Sequence, residues 1–288
     1  MNTTPNAGRP GVNYDARVVD GFGSEWQRFD QRTLDDAEAR ALFDRYFAIF
    51  PWHTLPPAAT GFDAGCGSGR WARFVAPKVA HLHCVDASAA ALAVAARNLS
   101  AFPNCELHLS TIDSMPIAAA SADFGYSLGV LHHIPDTQSA LRACVQRLKP
   151  GAPFLLYLYY AFDNRPRWFR TIWRVSELLR AVLSRSPFRV RSAICDVIAA
   201  TVYLPVARAA ALGERFGVSV EHVPLSAYRR QSFYVMRTDA LDRFGTRLER
   251  RFTCAEIARM MTEAGLTDVQ FHDGEPYWVA LGRRTLSV

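Results

Sequence analysis

Residues 62–71, FDAGCGSGRW, combine residue types and spacing that can hold a ligand. An apolar run carrying Asp63 leads into glycines at alternate positions, Gly65, Gly67 and Gly69. Glycine has no Cβ, so such a loop turns sharply and lets a ligand approach the backbone closely. The next residues, WARFVAPKVA, start as a helix, which puts the loop at a strand-to-helix turn whose free N–H groups favour anionic ligand parts. A second segment, HLHCVDAS at 81–88, reads as a short strand ending in Asp86, seventeen positions beyond Gly69. In a doubly wound sheet the second strand ends beside the first, and a carboxylate there can accept both ribose hydroxyls of a nucleoside.

A loop that cradles a pyrophosphate spaces its glycines GxGxxG, whereas this one reads GxGxG with Asp63 ahead of it. A nucleoside with an amino-acid tail and no phosphate suits it better. Five segments then follow in order: DAGCGSG at 63–69, VDAS at 85–88, STIDSMP at 110–116, ADFGYSLGVLHHIPD at 122–136 and LKPGAPFLLYLY at 148–159. On these the chain resembles the class I S-adenosylmethionine-dependent methyltransferases, over roughly residues 55–160 and 251–283. Its general look is similar to bacterial members of small-molecule and polysaccharide pathways.

The resemblance implies an α/β fold: a Rossmann-like, doubly wound, mainly parallel seven-stranded sheet with a helical insertion after strand 5. It implies S-adenosyl-L-methionine as cofactor and S-adenosyl-L-homocysteine as product. Asp86, with Ala87 beside it, would clamp the ribose. Gly65, Cys66 and Gly67 would flank the methionine part, and Asp63 would orient the loop or meet the amino group. Ile112 and Asp113 compete for the adenine. Leu128 and Gly129 fall where strand 4 passes the sulfonium.

At the exit of strand 4 stand His132 and His133, either of which could take a proton from a hydroxyl or amine. A structural or cofactor-shelf role competes with that reading. Tyr157 and Tyr159 end strand 5 on one face, with Tyr160 on the other by alternation. Arg165, Tyr228 and Arg229 are acceptor-side candidates, as are His222 and Arg230. No Asn/Asp-Pro-Pro-Tyr follows strand 4, which argues against methylation of nucleic-acid bases.

These residues need elements to position them. Strands interleaved with helices run from ATGFDAG to APFLLYLYYA, and such alternation predicts a mainly parallel sheet with ligands at the strands' carboxyl ends. A Thr-x-x-Glu capping box, Thr253 to Glu256, opens a helix that closes on Gly265, and two strands follow. Four parts are expected: 1–54, an N-terminal segment and lid helix; 55–160, the cofactor-binding core; 161–250, an Arg-rich helical insertion; and 251–288, the end of the core. Residues 1–15 read as mobile. Phe22 and Trp26, in FGSEWQRF, are lid candidates against the alternative of plain core packing. A helix is predicted from Asp35 and Asp36 to Pro51.

The 288 residues, 50% hydrophobic, suffice for one sizeable core and a subdomain. Six scattered cysteines without a CxxC read as reduced cytoplasmic thiols, and no metal site is expected. The polar N-terminus carries no signal-like apolar run, and the longest apolar stretch, 197–207, is too short to span a bilayer. Net charge is +6 overall, yet residues 151–251 hold seventeen arginines, no lysine and eight acids, a balance of +9. Within them Trp168, Ile172, Val175, Leu179 and Val182 form one stripe, with Arg167, Arg170, Arg174 and Glu177 on another face. That pattern fits a lid over an anionic acceptor, a helix lying on a membrane surface, or a helix packed by its stripe with a solvated arginine face.

The expected activity is in-line methyl transfer to a small-molecule acceptor, O- or N-directed, on an anionic or glycosylated metabolite. Peripheral membrane contact and a homo-oligomer stay open, and nucleic acid ranks low. The alternatives are an RNA or protein methyltransferase using the basic insertion, and a non-catalytic binding protein of the same fold.

Overall fold

The computed structural model describes residues 13–286. The expectation of mobility for 1–15 lies outside them except at its end. There Asn13 exchanges two hydrogen bonds of 2.7 Å with the backbone of Asp136, and the Asp15 carboxylate caps the first helix through the N–H groups of Arg17 and Val18.

Seven strands form one sheet: β1 (Thr60–Ala64), β2 (His81–Asp86), β3 (Cys105–Leu109), β4 (Phe124–Leu128), β5 (Pro153–Tyr157), β6 (Leu266–Phe271) and β7 (Val279–Arg284). Their spatial order is β3-β2-β1-β4-β5-β7-β6, with β7 antiparallel to both neighbours and the rest parallel. This is the doubly wound Rossmann-like sheet expected. Its strand order reverses between β1 and β4, the point where a crevice opens at the carboxyl ends.

Alternation along the strands fills both faces. Phe62, Phe154 and Leu156 pack with Leu131, Leu141 and Ile257 on one side; Leu82, Phe124, Tyr126 and Leu155 pack with Phe43 and Phe47 on the other. Burying each such side chain contributes roughly 1.5–3 kcal/mol. The helix after the glycine loop is a single turn, α3 (Ala72–Val75), because Pro77 turns the chain into a 3-10 segment. One turn is too short for the helix-end field expected there.

Two helices precede the sheet: α1 (Ala16–Arg28) contains FGSEWQR, and α2 (Asp36–Tyr46) is capped by Asp35 as predicted. Between strands run α4 (Ala89–Asn98) and α5 (Thr137–Arg147). The insertion contributes α6 (Arg167–Leu183), α7 (Phe188–Ile198), α8 (Leu204–Arg215) and α9 (Phe233–Gly245). The capping box is present at α10 (Cys254–Glu263). A third buried cluster, Phe29, Cys195, Tyr203, Met236, Leu241 and Phe244, joins the end of α1 to the insertion.

Two expectations about the insertion need correction. The apolar run at 197–207 is part of one continuous helix, Phe188–Arg215, of 28 residues, long and apolar enough by length and composition to cross a membrane. A π turn at Ala199–Tyr203 carries the helix past Pro205, whose ring and missing N–H would otherwise break it. This helix buries Ser192, Cys195, Ala199, Tyr203 and Ala207 against the protein, while Val190, Val197 and Val202 stay exposed.

The second correction concerns α6. Its apolar stripe faces outward: Trp168, Ile172, Val175, Leu179 and Val182 are 44–67% exposed. The inward face holds Trp173, Ser176, Glu177 and Arg180 instead, because Arg243 on α9 reaches the Glu177 carboxylate (2.6 Å) and the Ser176 hydroxyl (2.9 Å). Packing by the stripe is therefore ruled out.

Candidate active site

The carboxyl ends of β1, β2 and β4 open into a cavity of about 840 Å³, within the range of ligand sites. The glycine loop forms its floor. Gly65 N–H and Cys66 N–H donate to Val85 O at 2.8 and 3.0 Å, which ties the loop to the end of β2. Gly65 (φ +86°) and Gly67 (φ +54°) take the left-handed conformation. A Cβ on Gly65 would lie 2.4 Å from Val130, and one on Gly67 would lie 2.8 Å from the Trp26 indole nitrogen.

Asp86 sits beside this loop. Its two oxygens accept from Ser88 N–H (2.8 Å) and Gly67 N–H (2.9 Å), so the carboxylate is fixed in direction and faces the cavity. Burial raises its pKa, and the backbone donors work the other way. Ala87, Ile112, Leu128 and Gly129 continue the wall. Of the competing pair after β3, Ile112 reaches the cavity and Asp113 does not.

Asp63 lies behind the loop, 1% exposed and off the cavity wall, with its Oδ2 lacking a partner. Burial lifts its carboxyl to about 8. In the unfolded chain it ionises near 4, so between about pH 4 and pH 8 the folded state holds a proton that the unfolded state has lost. Stability must fall as pH rises through that window, by up to about 1.4 kcal/mol per pH unit. Asp63→Asn should therefore gain on the parent steadily from pH 5 to pH 8 in urea melts. Parallel curves would show that the buried group is not neutral.

The lid candidates are on the cavity wall. Phe22 and Trp26 of α1 line it, with Trp26 over Gly67 and Phe22 against His133, ring centroids 4.8 Å apart. The two histidines part company. His132 is fully buried, has no partner on either nitrogen, lies off the cavity wall and stacks on Tyr159 at 4.0 Å. Burial, then His133 and Arg251, push its pKa well below 6.5, so it stays neutral.

His133 lines the cavity. Its Nδ1 is 2.7 Å from Leu248 O. A carbonyl can only accept, so Nδ1 carries the proton and Nε2 keeps its lone pair. Nε2 has no hydrogen-bond partner and lies 3.8 Å from Asp242 Oδ1. A proton arriving at Nε2 would thus face a carboxylate.

The rest of the cavity is aromatic. Tyr157, Tyr159, Tyr160 and Tyr228 all line it, with Phe169 and Trp173 from α6. β5 ends at Tyr157, so alternation does not carry Tyr160 to the opposite face; it bridges to Phe252 instead. Tyr159 Oη donates to Asp242, and Tyr228 neighbours Asp239, whose carboxyl burial pushes up to about 6. Asp239, Asp242 and the buried Glu25 are cavity acids that sequence reasoning missed. The only signal was two acids one helical turn apart, Asp239 and Asp242, in the helix FYVMRTDALDRFG.

The insertion's arginines do not offer free charge inside. Arg165 reaches the cavity but pairs with Glu275 at 3.0 Å, and Arg243 and Arg251 pair with Glu249 at 3.3 and 2.7 Å. Arg229 lies off the wall, paired with Glu214, as is Arg230. His222 is also off the wall.

Residues 62–156 match the family model of the methyltransferase domain. Among curated proteins, the chain is 34% identical over 144 residues to the ubiquinone biosynthesis O-methyltransferase of Marinobacter nauticus, covering 43% of this chain and 60% of that one. It is 32% identical over 106 residues to phosphoethanolamine N-methyltransferase 2 of Caenorhabditis elegans, covering 36% of this chain and 24% of the relative. It thus spans less than two thirds of these relatives' lengths. Among solved structures, the 1,6-didemethyltoxoflavin-N1-methyltransferase of Burkholderia thailandensis, with bound 1,6-didemethyltoxoflavin and S-adenosylhomocysteine, superposes with a TM-score of 0.53. That match has 15% identity and covers 98% of this chain and 94% of the other, a likeness of fold.

Proposed function

We infer, from the premise that this chain belongs to the class I S-adenosylmethionine-dependent methyltransferases, that it transfers a methyl group to a hydroxyl-bearing amphiphilic small molecule taken from a lipid surface. One observation carries the reading: the glycine loop, Asp86, His133 and the aromatic chamber share a single cavity, whose lining includes apolar residues of α6 and of the 188–215 helix. Ile172 and Leu179 on one side, and Ile198 and Val202 on the other, line that cavity.

The residues present fit the cofactor. Gly65 and Gly67 keep the loop in a left-handed turn that no side chain could join, with Val130 and Trp26 packed on it, and Asp86 presents acceptor oxygens to the cavity. When bound, S-adenosylmethionine supplies an activated methyl group on a sulfonium. Asp86 accepts the ribose hydroxyls, Ile112 walls the adenine, and Gly65 and Gly67 admit the methionine part. Trp26 and Phe22 on α1 keep water out of the closed site. Tyr228 and Asp239 orient the acceptor hydroxyl, and His133 Nε2 takes its proton, with Asp242 stabilising the imidazolium. Alignment does most of the remaining work, since well-oriented groups reach effective molarities on the order of 10⁵ M or more.

The acceptor class follows from the chamber. Its walls are aromatic and the insertion's arginines within it are ion-paired, which favours an apolar-bodied acceptor over the small anionic metabolite expected from charge alone. The arginines have another use. On α6, exposed Arg167 and Arg174 flank the outward apolar stripe along one border. An apolar helical face edged with arginine suits the surface of an anionic bilayer. The six free thiols suit a reducing cytoplasmic location at such a surface.

The test uses methyl-labelled S-adenosylmethionine, alkyl-chain phenols and catechols held in anionic vesicles, and short-chain analogues in solution. Label should enter both forms. The Val175→Glu/Leu178→Glu/Val182→Glu variant should lose vesicle co-sedimentation and at least roughly tenfold of the transfer to vesicle-held acceptor, while keeping transfer to the soluble analogue. No label in either form sinks the acceptor class. Equal transfer by the variant from vesicles sinks the lipid surface.

A further inference from the structure

Far from the cavity's acceptor end, at the edge of the sheet, β2 and β3 bring together four side chains with the chemistry of metal ligands. His81 and His83 are two apart on β2, and Glu106 and His108 are two apart on β3. The strands are parallel with His83 opposite Glu106, so all four project from the same face.

The ligating atoms cluster. Glu106 Oε2 lies 3.1 Å from His81 Nε2, 3.4 Å from His83 Nδ1 and 3.7 Å from His108 Nε2, and the two nitrogens of His83 and His108 are 2.9 Å apart. A tetrahedral zinc ion with bonds of about 2.0–2.1 Å sets its ligand atoms roughly 3.3 Å from one another. The Glu106 oxygen meets His81 and His83 close to that value, and the ligand atoms of these three residues all lie within 4.8 Å of one another.

We propose that His81, His83 and Glu106 form a binding site for a zinc-like divalent cation, with His108 beside His83 at its border. Two imidazoles and one carboxylate make a borderline donor set that suits zinc, nickel or cobalt and not the hard ions magnesium and calcium. Three protein ligands leave one position of a tetrahedral ion to water, and nothing from the methyl-transfer cavity reaches it, so its effect is on the strands rather than on the reaction. Its effect is mechanical. β3 is an edge strand, held on one side only, and the ion would clip it to β2, whose far end carries Asp86. The sequence reading expected no metal because it looked for cysteine spacing, whereas this donor set appears only once two strands pair.

The experiment is calorimetric titration of the chelator-treated full chain with zinc sulfate, alongside His83→Gln and Glu106→Gln/His108→Asn. The parent should bind one ion per chain at micromolar affinity or tighter. The variants should lose at least about 10–100-fold, since even an outer partner of a metal site can matter that much. Thermal melts should rise with zinc in the parent and not in the variants, and far-ultraviolet circular dichroism checks that each variant is folded. Two results would overturn the site: no binding by the parent, or undiminished binding by folded variants, which would move the ion to the cysteines.

Discussion

Turnover by His133→Gln is expected to fall by about 10²–10⁴-fold, the usual contribution of a positioned proton acceptor. The argument rests on the ring's two bonds. Leu248 O fixes the proton on Nδ1 and thereby the lone pair on Nε2, the atom that faces Asp242. Glutamine keeps a donor for Leu248 but cannot take up a proton. S-adenosylmethionine affinity should hold within about twofold, because His133 contributes nothing to the ribose end, and the loss should appear in kcat. Undiminished turnover would leave His133 as a shelf under Phe22, and Asp239 would then be the group to test.

Asp86→Ala should weaken S-adenosylmethionine binding by about 1.5–3 kcal/mol, roughly 10–150-fold, as expected for hydrogen bonds to a charged group. Two losses add up in that variant. The ribose hydroxyls lose their acceptor, and the N–H groups of Gly67 and Ser88 lose the carboxylate that now holds them. The second loss loosens the glycine loop itself. Asp86→Asn separates them, since an amide oxygen can still accept from one N–H. Calorimetry with the cofactor and with S-adenosylhomocysteine measures both, and unchanged affinity in Asp86→Ala would remove Asp86 from the site.

The meeting of the glycine loop and Asp86 at one cavity was legible in the sequence because its determinants are local. Gly65, Gly67 and Asp86 sit in two short segments whose strands must end side by side, so spacing alone brings them together. The acceptor end was not. Asp239 and Asp242 belong to α9, and they meet Tyr228 and His133 only through the packing of the insertion. The stripe on α6 shows a different limit. Helical period reveals that one face is apolar but not which way it points. That was decided by Glu177 and Trp173 on the opposite face, which had a partner in Arg243. His132 and His133 are adjacent in the short 3-10 turn at 131–133 and their rings stay 3.9 Å apart, yet only His133 reaches the cavity wall.

Trp26 gives the molecule a built-in optical probe. Its indole rests on Gly67 and under the Arg70 guanidinium, 5.4 Å from the ring centroid. Indole emission responds to nearby charge and to exclusion of water, and both change here when anything occupies the loop. The same residue that covers the site can thus report its filling in real time, without a label and before any product has been made.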